Sequence, residues 1–249
     1  MIPSAMYDGC SADALRTLLD VPRVAAYDSV SSTLDIAHGL AAEGAPAGTL
    51  VLADQQLAGR GRHGRRWESA PGAGIWLTLI ERPVDPTAVQ LLSLRLGLRA
   101  ARVLDRYTSS PVRLKWPNDL YVGAGKLAGI LVESRWRDER IDWVAIGFGL
   151  NVRIPGGVPR AAALQSETER VEVLAELIPA LRAAAAARGQ LSESELAQFA
   201  ARDLARGRRC REPAIGLVQG IDAHGALIIR TAAGDVAHTS GSLVLEEDA

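Results

Sequence analysis

The stretch Leu114–Glu133, LKWPNDLYVGAGKLAGILVE, decides how this chain is read. Short apolar runs (VRLKW, DLYV, KLAGILVESRW) alternate with Pro-Asn-Asp and Gly-Ala-Gly, a pattern that predicts three strands joined by tight turns. Pro117 fixes its own φ and biases Trp116 toward an extended backbone. The stretch also carries Lys115 and Lys126, the only lysines among 28 Lys and Arg residues. It holds Asn118 as well, one of two asparagines; the other is Asn151, in GFGLNV. Rare polar residues gathered among glycines point to a site. Two blander readings stand beside that one: Pro-Asn-Asp is ordinary turn chemistry, and a lysine at a strand end is commonly a surface charge. Gly129, inside a strand pattern, marks a bulge or a close approach by ligand or backbone.

Working outward, RVAAY and GTLVLAD read as strands flanking a helix over residues 32–43, with Ser31, Ser32 and Thr33 as cap candidates and Gly44 as the stop. The first 24 residues have room for one short helix around SADALRTLLD. An apolar run, IWLTLI, predicts another strand, and DPTAVQLLSLRLGLRAARVLDRY predicts one long packed helix. DWVAIGFGLNV is strand-like. Beyond residue 160 come two helical segments, the second opened by a Ser192/Glu195 capping box. From Arg208 short strands with glycine turns suggest a small β-barrel. The expected architecture is α/β (α+β): a body over residues 1–206 with a central mixed sheet and flanking helices, then a barrel over 207–249.

A length of 249 residues fits one large domain or one domain plus a small appendage, and 48% hydrophobic residues fit a globular core. The formal charge of −1 gives no net pull toward polyanions, so any anion site must be local. Cys10 and Cys210 form no C-x-x-C pair, which reads as a reducing compartment without a structural disulfide or zinc site. With no leader-like start and no apolar run of membrane-spanning length, the expectation is a soluble, cytoplasmic protein. The histidines show no metal-ligand spacing, and no G-x-S-x-G nucleophile elbow occurs.

The loop GRGRHGRRW places four arginines between positions 60 and 66, interleaved with Gly59, Gly61 and Gly64. Such crowding needs compensation. Glycines let backbone N–H groups approach a ligand, guanidinium groups offer bidentate donors to phosphate or carboxylate, and Trp67 offers a flat face. The loop lacks the lysine and hydroxyl of a P-loop and differs from the dinucleotide fingerprint. A solvated basic loop or an RNA-touching segment remains open on these residues alone. Taken together, arginines, a lysine, glycine backbone and an aromatic face without a nucleophile suit phosphoryl or nucleotidyl chemistry, in which the substrate supplies the attacking oxygen.

GRGRHGRRW, KWPNDL, KLAGILVE and GFGLNV, in this order and spacing, resemble the biotin protein ligases (biotin–[acetyl-CoA-carboxylase] ligases), and the resemblance runs from about Ser31 to the end. It implies a central mixed sheet with a C-terminal SH3-like barrel. The implied reaction forms biotinyl-5′-AMP from biotin and MgATP, releases pyrophosphate, and passes biotin to a lysine of a biotin carboxyl carrier domain. By resemblance, Ser32, Thr33 and Gln56 hold the ureido end of biotin, and Arg60, Gly61 and Arg62 fold over biotin and the adenylate. Trp76, Thr78 and Gly129 form the biotin wall. Lys126 bridges the biotin carboxylate and α-phosphate, with Arg62 as its catalytic partner. Arg65, Trp67, Lys115, Asn118, Asp119, Gly147, Gly149 and Asn151 serve ATP; Asp119 is also a candidate during acceptor attack. No protein ligand is assigned to Mg²⁺, which arrives with ATP.

Two departures stand out: Leu34 follows Ser32-Thr33 where the family usually has asparagine, and Phe148 is bulky between Gly147 and Gly149, where it is expected to narrow the nucleotide side. The chain has no room for the N-terminal winged helix of some relatives, so ligase activity without DNA binding is expected; a homodimer is common in the family. The rival readings are a lipoate or octanoate ligase or transferase, and a non-catalytic nucleic-acid-binding regulator.

Overall fold

The computed structural model describes residues 2–83 and 85–246. In chain order the elements begin with β1 (Ile2–Pro3), a miniature hairpin of β2 (Met6–Tyr7) and β3 (Cys10–Ser11), and α1 (Ala12–Leu18). The body continues through β4 (Val24–Val30), α2 (Thr33–Ala42), β5 (Thr49–Gln56) and β6 (Gly74–Glu81). Next come α3 (Pro86–Gln90), α4 (Leu92–Leu104), β7 (Arg113–Lys115), β8 (Asp119–Val122), β9 (Gly125–Arg137) and β10 (Arg140–Asn151). Two helices, α5 (Arg170–Ala185) and α6 (Glu193–Arg202), precede β11 (Arg209–Glu212), β12 (Gly216–Ile221), β13 (Leu227–Thr231), β14 (Gly234–His238) and β15 (Val244–Leu245).

Eight strands form one mixed sheet in the order β1-β4-β5-β6-β10-β9-β8-β7. Only β4 and β5 pair in parallel, and α2 supplies the crossover a parallel pair requires. The three strands read from Leu114–Glu133 are present as an antiparallel meander at one edge. Period-2 alternation sends Val51, Ile80 and Trp143 to one face, where they pack with Ala37 and Ala41 of α2. Leu50, Leu52, Leu79 and Val144 point to the other face and join the main core with Leu15 of α1, Leu96 of α4 and Leu177 of α5. Because both faces are covered, Leu50–Ala53 of β5 and nearly all of β6 are apolar and buried, which explains why IWLTLI does not alternate. Fully burying each such Leu or Ile contributes about 1.5–3 kcal/mol.

The long helix expected over DPTAVQLLSLRLGLRAARVLDRY is broken. α3 ends before Leu91, which closes a short turn on Ala88 O and then accepts from Arg95 N. Leu91 and Leu92 are both buried, so the kink lets adjacent residues face the core where a straight helix would separate them by 100°. The hairpin at residues 6–11 was not signalled by the sequence; its Tyr7 is buried beneath Arg170, whose guanidinium lies 4.5 Å from the ring centroid.

The last five strands form a separate antiparallel sheet, β14-β13-β12-β11-β15. It is fastened to the body by Trp116, whose indole N–H donates to Gly225 O at 3.0 Å. No helix among the described residues is long and apolar enough to cross a membrane.

Candidate active site

α2 covers the sheet only up to its N-terminus. Beyond it, β9 and β10 expose Gly129 and Gly149, which face each other across the strand pair. A Cβ at Gly149 would lie 2.6 Å from the Trp67 indole, and one at Gly129 would lie 2.9 Å from it, so the glycine pair makes the floor on which Trp67 rests. The indole N–H of Trp67 is buried and meets no acceptor among the described residues, a donor that a ligand can satisfy. Around this floor lies a cavity of about 410 Å³, within the range of small-ligand sites.

One end of the cavity is polar. Thr33 donates to Gln56 Oε1 through its backbone N–H at 2.9 Å and its hydroxyl at 3.1 Å. Thr78 Oγ1 donates to Thr33 Oγ1 at 2.9 Å, and Gln56 Nε2 donates to Ser69 Oγ at 2.9 Å. Ser32 caps α2 by accepting from Leu34 N at 3.3 Å. Leu34 borders the cavity and packs against Gly147, where a Cβ would lie 3.1 Å from it.

The other end is cationic. Arg60, Arg62, Arg65, Arg66, Lys115 and Lys126 line it against one carboxylate, Asp119. Lys126 Nζ lies 2.8 Å from Asp119 Oδ1 and 5.1 Å from the Trp67 ring centroid. Its main chain is held on both sides, donating to Arg160 O at 2.7 Å and accepting from Ala162 N at 2.9 Å. Lys115 sits 5.6 Å from the Tyr121 ring. Arg62 Nη1 donates to Asn118 Oδ1 at 3.3 Å, and Asn118 Nδ2 donates to Ile130 O at 2.7 Å. Partial burial lowers the Arg62 pKa from its usual value, with Asp119 acting in the opposite sense. An excess of cations over one carboxylate in a part-dry hollow is an anion site, and it resolves how a chain of net charge −1 can concentrate positive potential locally.

All but four of the residues singled out from the sequence line this cavity; the exceptions are Ser32, Trp76, Thr78 and Asn151. Ser32 and Thr78 act one step back, through the cap and through Thr33. Trp76 is buried and meets Trp67 edge-on at 6.4 Å between centroids. Asn151 is buried, and its Nδ2 donates to Lys126 O at 3.2 Å and Ala162 O at 3.0 Å, fixing the lysine's backbone. Phe148 borders the cavity beside the two glycines, but at 1% exposure it does not narrow the space with its ring as expected. Alternation along β10 puts its ring in the main core, on the opposite face from Gly147 and Gly149. Sequence reasoning missed Ser69 as the partner of Gln56, Arg66 as a lining residue, and Ser242–Val244, which close one wall from the C-terminal sheet. The last carries no local signal, since more than 110 residues separate it from Lys126.

Residues 26–151, which carry the glycine floor, the arginine loop and both lysines, match the Biotin/lipoate A/B protein ligase family. The chain belongs to that family. A biotin–[acetyl-CoA-carboxylase] ligase of Paracoccus denitrificans is 35% identical over 214 residues, covering 78% of this chain and 88% of that protein. The bifunctional ligase/repressor BirA of Bacillus subtilis is 41% identical over 127 residues, covering 51% of this chain and 39% of that protein, so the alignment spans about two fifths of that relative. Among solved structures, the biotin protein ligase of Aquifex aeolicus in complex with biotin and ATP superimposes with a TM-score of 0.73 at 26% identity, covering 90% of this chain and 99% of that one.

Proposed function

We propose that this family member is an ATP-dependent biotin protein ligase that makes biotinyl-5′-AMP and transfers biotin to a lysine of a biotin carboxyl carrier domain. The observation that carries the reading is the polarity of the cavity. A hydrogen-bonding end built from Thr33, Gln56 and Thr78 faces a cationic end built on Lys126 and Arg62, with a flat indole between. Biotin has matching ends, a ureido ring that donates and accepts and a carboxylate that must meet a phosphate. A lipoyl or octanoyl chain offers that end neither donor nor acceptor, whereas a ureido group can exchange into its hydrogen bonds. The relatives named above for biotin ligation support the same choice.

In this reading the biotin carboxylate attacks the α-phosphorus of ATP and pyrophosphate departs. Lys126 exchanges Asp119 for the carboxylate and α-phosphate oxygens, and Arg62 leaves Asn118 to share the developing charge. Trp67 covers the adenine, while Arg65, Lys115, Asn118 and the Gly147/Gly149 backbone serve the nucleotide; Asn151 contributes by holding Lys126. Mg²⁺ carried in on the triphosphate would supply charge neutralisation for the leaving pyrophosphate; Asp119 is the one carboxylate among the described lining residues. Freed from Lys126, Asp119 receives the acceptor ammonium and takes its proton, and the resulting amine attacks the biotinyl carbonyl and releases AMP. Residues 1–206 form the catalytic body and 207–249 an SH3-like barrel that completes the nucleotide wall. The cytoplasm is the compartment that supplies ATP and the carrier.

ATP–pyrophosphate exchange tests the proposal with biotin, lipoate and octanoate supplied in turn. Exchange with biotin alone is expected; exchange that responds only to lipoate or octanoate, or to none of the three, refutes it.

A further inference from the structure

The crowded arginine loop has a dedicated counter-charge outside the cavity. Arg60 Nη2 lies 3.0 Å from Asp35 Oδ1 on α2 and 3.1 Å from Glu133 Oε2 on β9. The same Glu133 oxygen is 2.8 Å from His38 Nε2, and His38 Nδ1 accepts from the Trp143 indole at 3.0 Å. An indole N–H can only donate, so the neutral His38 ring must keep Nδ1 bare and carry its proton on Nε2, where it donates to Glu133. Trp143 is itself fixed in the packed layer between α2 and the sheet. The result is a chain of fixed contacts from the core to the loop: Trp143, His38, Glu133, Arg60. Across the loop, a bridge between Arg60 and Arg66 and a Gly61 N–H to Arg65 O bond of 2.7 Å carry that anchorage through its turn. Neither His38 nor Glu133 borders the 410 Å³ cavity, so their part in the site is indirect.

We propose that Glu133, oriented by the Trp143–His38 relay, is a positioning residue that anchors Arg60 and holds the arginine loop over the cavity before any ligand arrives. Asp35 assists from the exposed side. The loop's shape is thereby set by groups that no substrate displaces, whereas Arg62, on the inner side, stays free to exchange Asn118 for a ligand. Where the loop covers an activated acyl-adenylate, an extension that rests on the function proposed above, the anchor lengthens the time that intermediate is retained.

The loop supplies its own reporter, because trypsin cleaves after arginine. In the ligand-free protein, Glu133→Gln is expected to raise cleavage after Arg60, Arg62, Arg65 and Arg66 about tenfold, read by mass spectrometry, with thermal unfolding little changed. Trp143→Phe, which releases the His38 tautomer, should raise it by a smaller factor. In an Arg60→Gln background, Glu133→Gln should add nothing to cleavage after Arg62 and Arg65, since the carboxylate acts through Arg60. Unchanged cleavage in Glu133→Gln, or an equal effect with and without Arg60, overturns the proposal; Trp143→Phe provides the same reading should Glu133→Gln fail to fold. In turnover, Glu133→Gln should raise the KM for biotin severalfold and speed adenylate release while leaving kcat within about twofold. A parallel fall of kcat and thermal stability would mark a merely structural role. Absence of adenylate in the wild type would sink the ligase reading alone, because the proteolysis result stands without it.

Discussion

Replacing Gly149 by alanine tests whether the glycine floor exists for Trp67. The added methyl would lie 2.6 Å from Cε2 and Nε1 of the indole, against an ordinary contact that begins at 3.4 Å, so the ring must withdraw by about 0.8 Å. The strand itself favours alanine over glycine, and Gly149 has no positive φ to preserve. If the indole were trapped, overpacking would cost about 1–3 kcal/mol. Trp67 is only part-buried and is carried on the arginine loop, so it can move, and stability should fall by no more than about 1 kcal/mol. With Trp67 over the adenine as proposed, the nucleotide bears the larger effect: a displaced indole loses a face-to-base contact worth about 0.5–1.5 kcal/mol, equivalent to a rise of about two- to tenfold in the KM for ATP. Pyrophosphate exchange at saturating biotin with varied ATP reads that rise directly, and the KM for biotin should change less than threefold. Gly129→Ala, where the clearance is 2.9 Å, should give a smaller rise of the same kind. An ATP KM within twofold of wild type for Gly149→Ala, or an equal loss for both substrates, would refute the role given to the floor.

Other substitutions probe separate parts of the molecule. Lys126→Ala should lower adenylation by about 10²–10³ with the unfolding midpoint retained; ordinary turnover would remove Lys126 from the mechanism. Arg95 is buried, ion-paired to Glu195 at 2.9 Å and bonded to the carbonyls of Arg188, Gly189 and Gln190, so Arg95→Ala should cost about 3–5 kcal/mol in denaturant unfolding. A loss below about 1 kcal/mol would show that the cluster relaxes. Burial raises the Asp203 pKa above 3.8, so the folded chain binds that proton more tightly than the unfolded chain does. Its charge therefore opposes folding at neutral pH, and the opposition fades as the pH falls through the raised value. Asp203→Asn keeps an acceptor for Ala205 N–H and places a neutral group where Oδ2 lacks a partner. The variant should be more stable than the wild type at pH 7, with the gain shrinking as the pH falls toward 3.8 and below; an equal gain across that range would refute the titration argument.

The parts of the fold that announce themselves in the sequence are those in which one residue answers to one local rule. The Ser32 and Ser192 caps, the turns at Pro117 and Gly123, and the apolar runs of β5 and β6 are of this kind. The break at Leu91 is not, because helical spacing is nearly continuous across it and only packing against the sheet decides that Leu91 and Leu92 both turn inward. For the site, scarcity was informative: with two lysines and two asparagines in the chain, Lys126 and Asn118 stood out before any geometry was known. Asn151 stood out equally, yet its buried amide ends on main-chain carbonyls, which rarity cannot distinguish from ligand contact. The alternation that hides Phe148 in the core was legible in GFGLNV once β10 was taken as a strand with glycines on one face. His38 and Glu133 gave no sign, since 95 positions separate them and their pairing exists only because α2 packs on β5, β6 and β10, beside β9.

The wall made by Ser242–Val244 ties the hollow to the C-terminal sheet through residues more than 110 positions from Lys126 in sequence. Loosening that sheet would open the hollow to water on one side without touching the lysines, the arginine loop or the glycine floor. Distant packing and local chemistry are thus coupled through a single shared boundary.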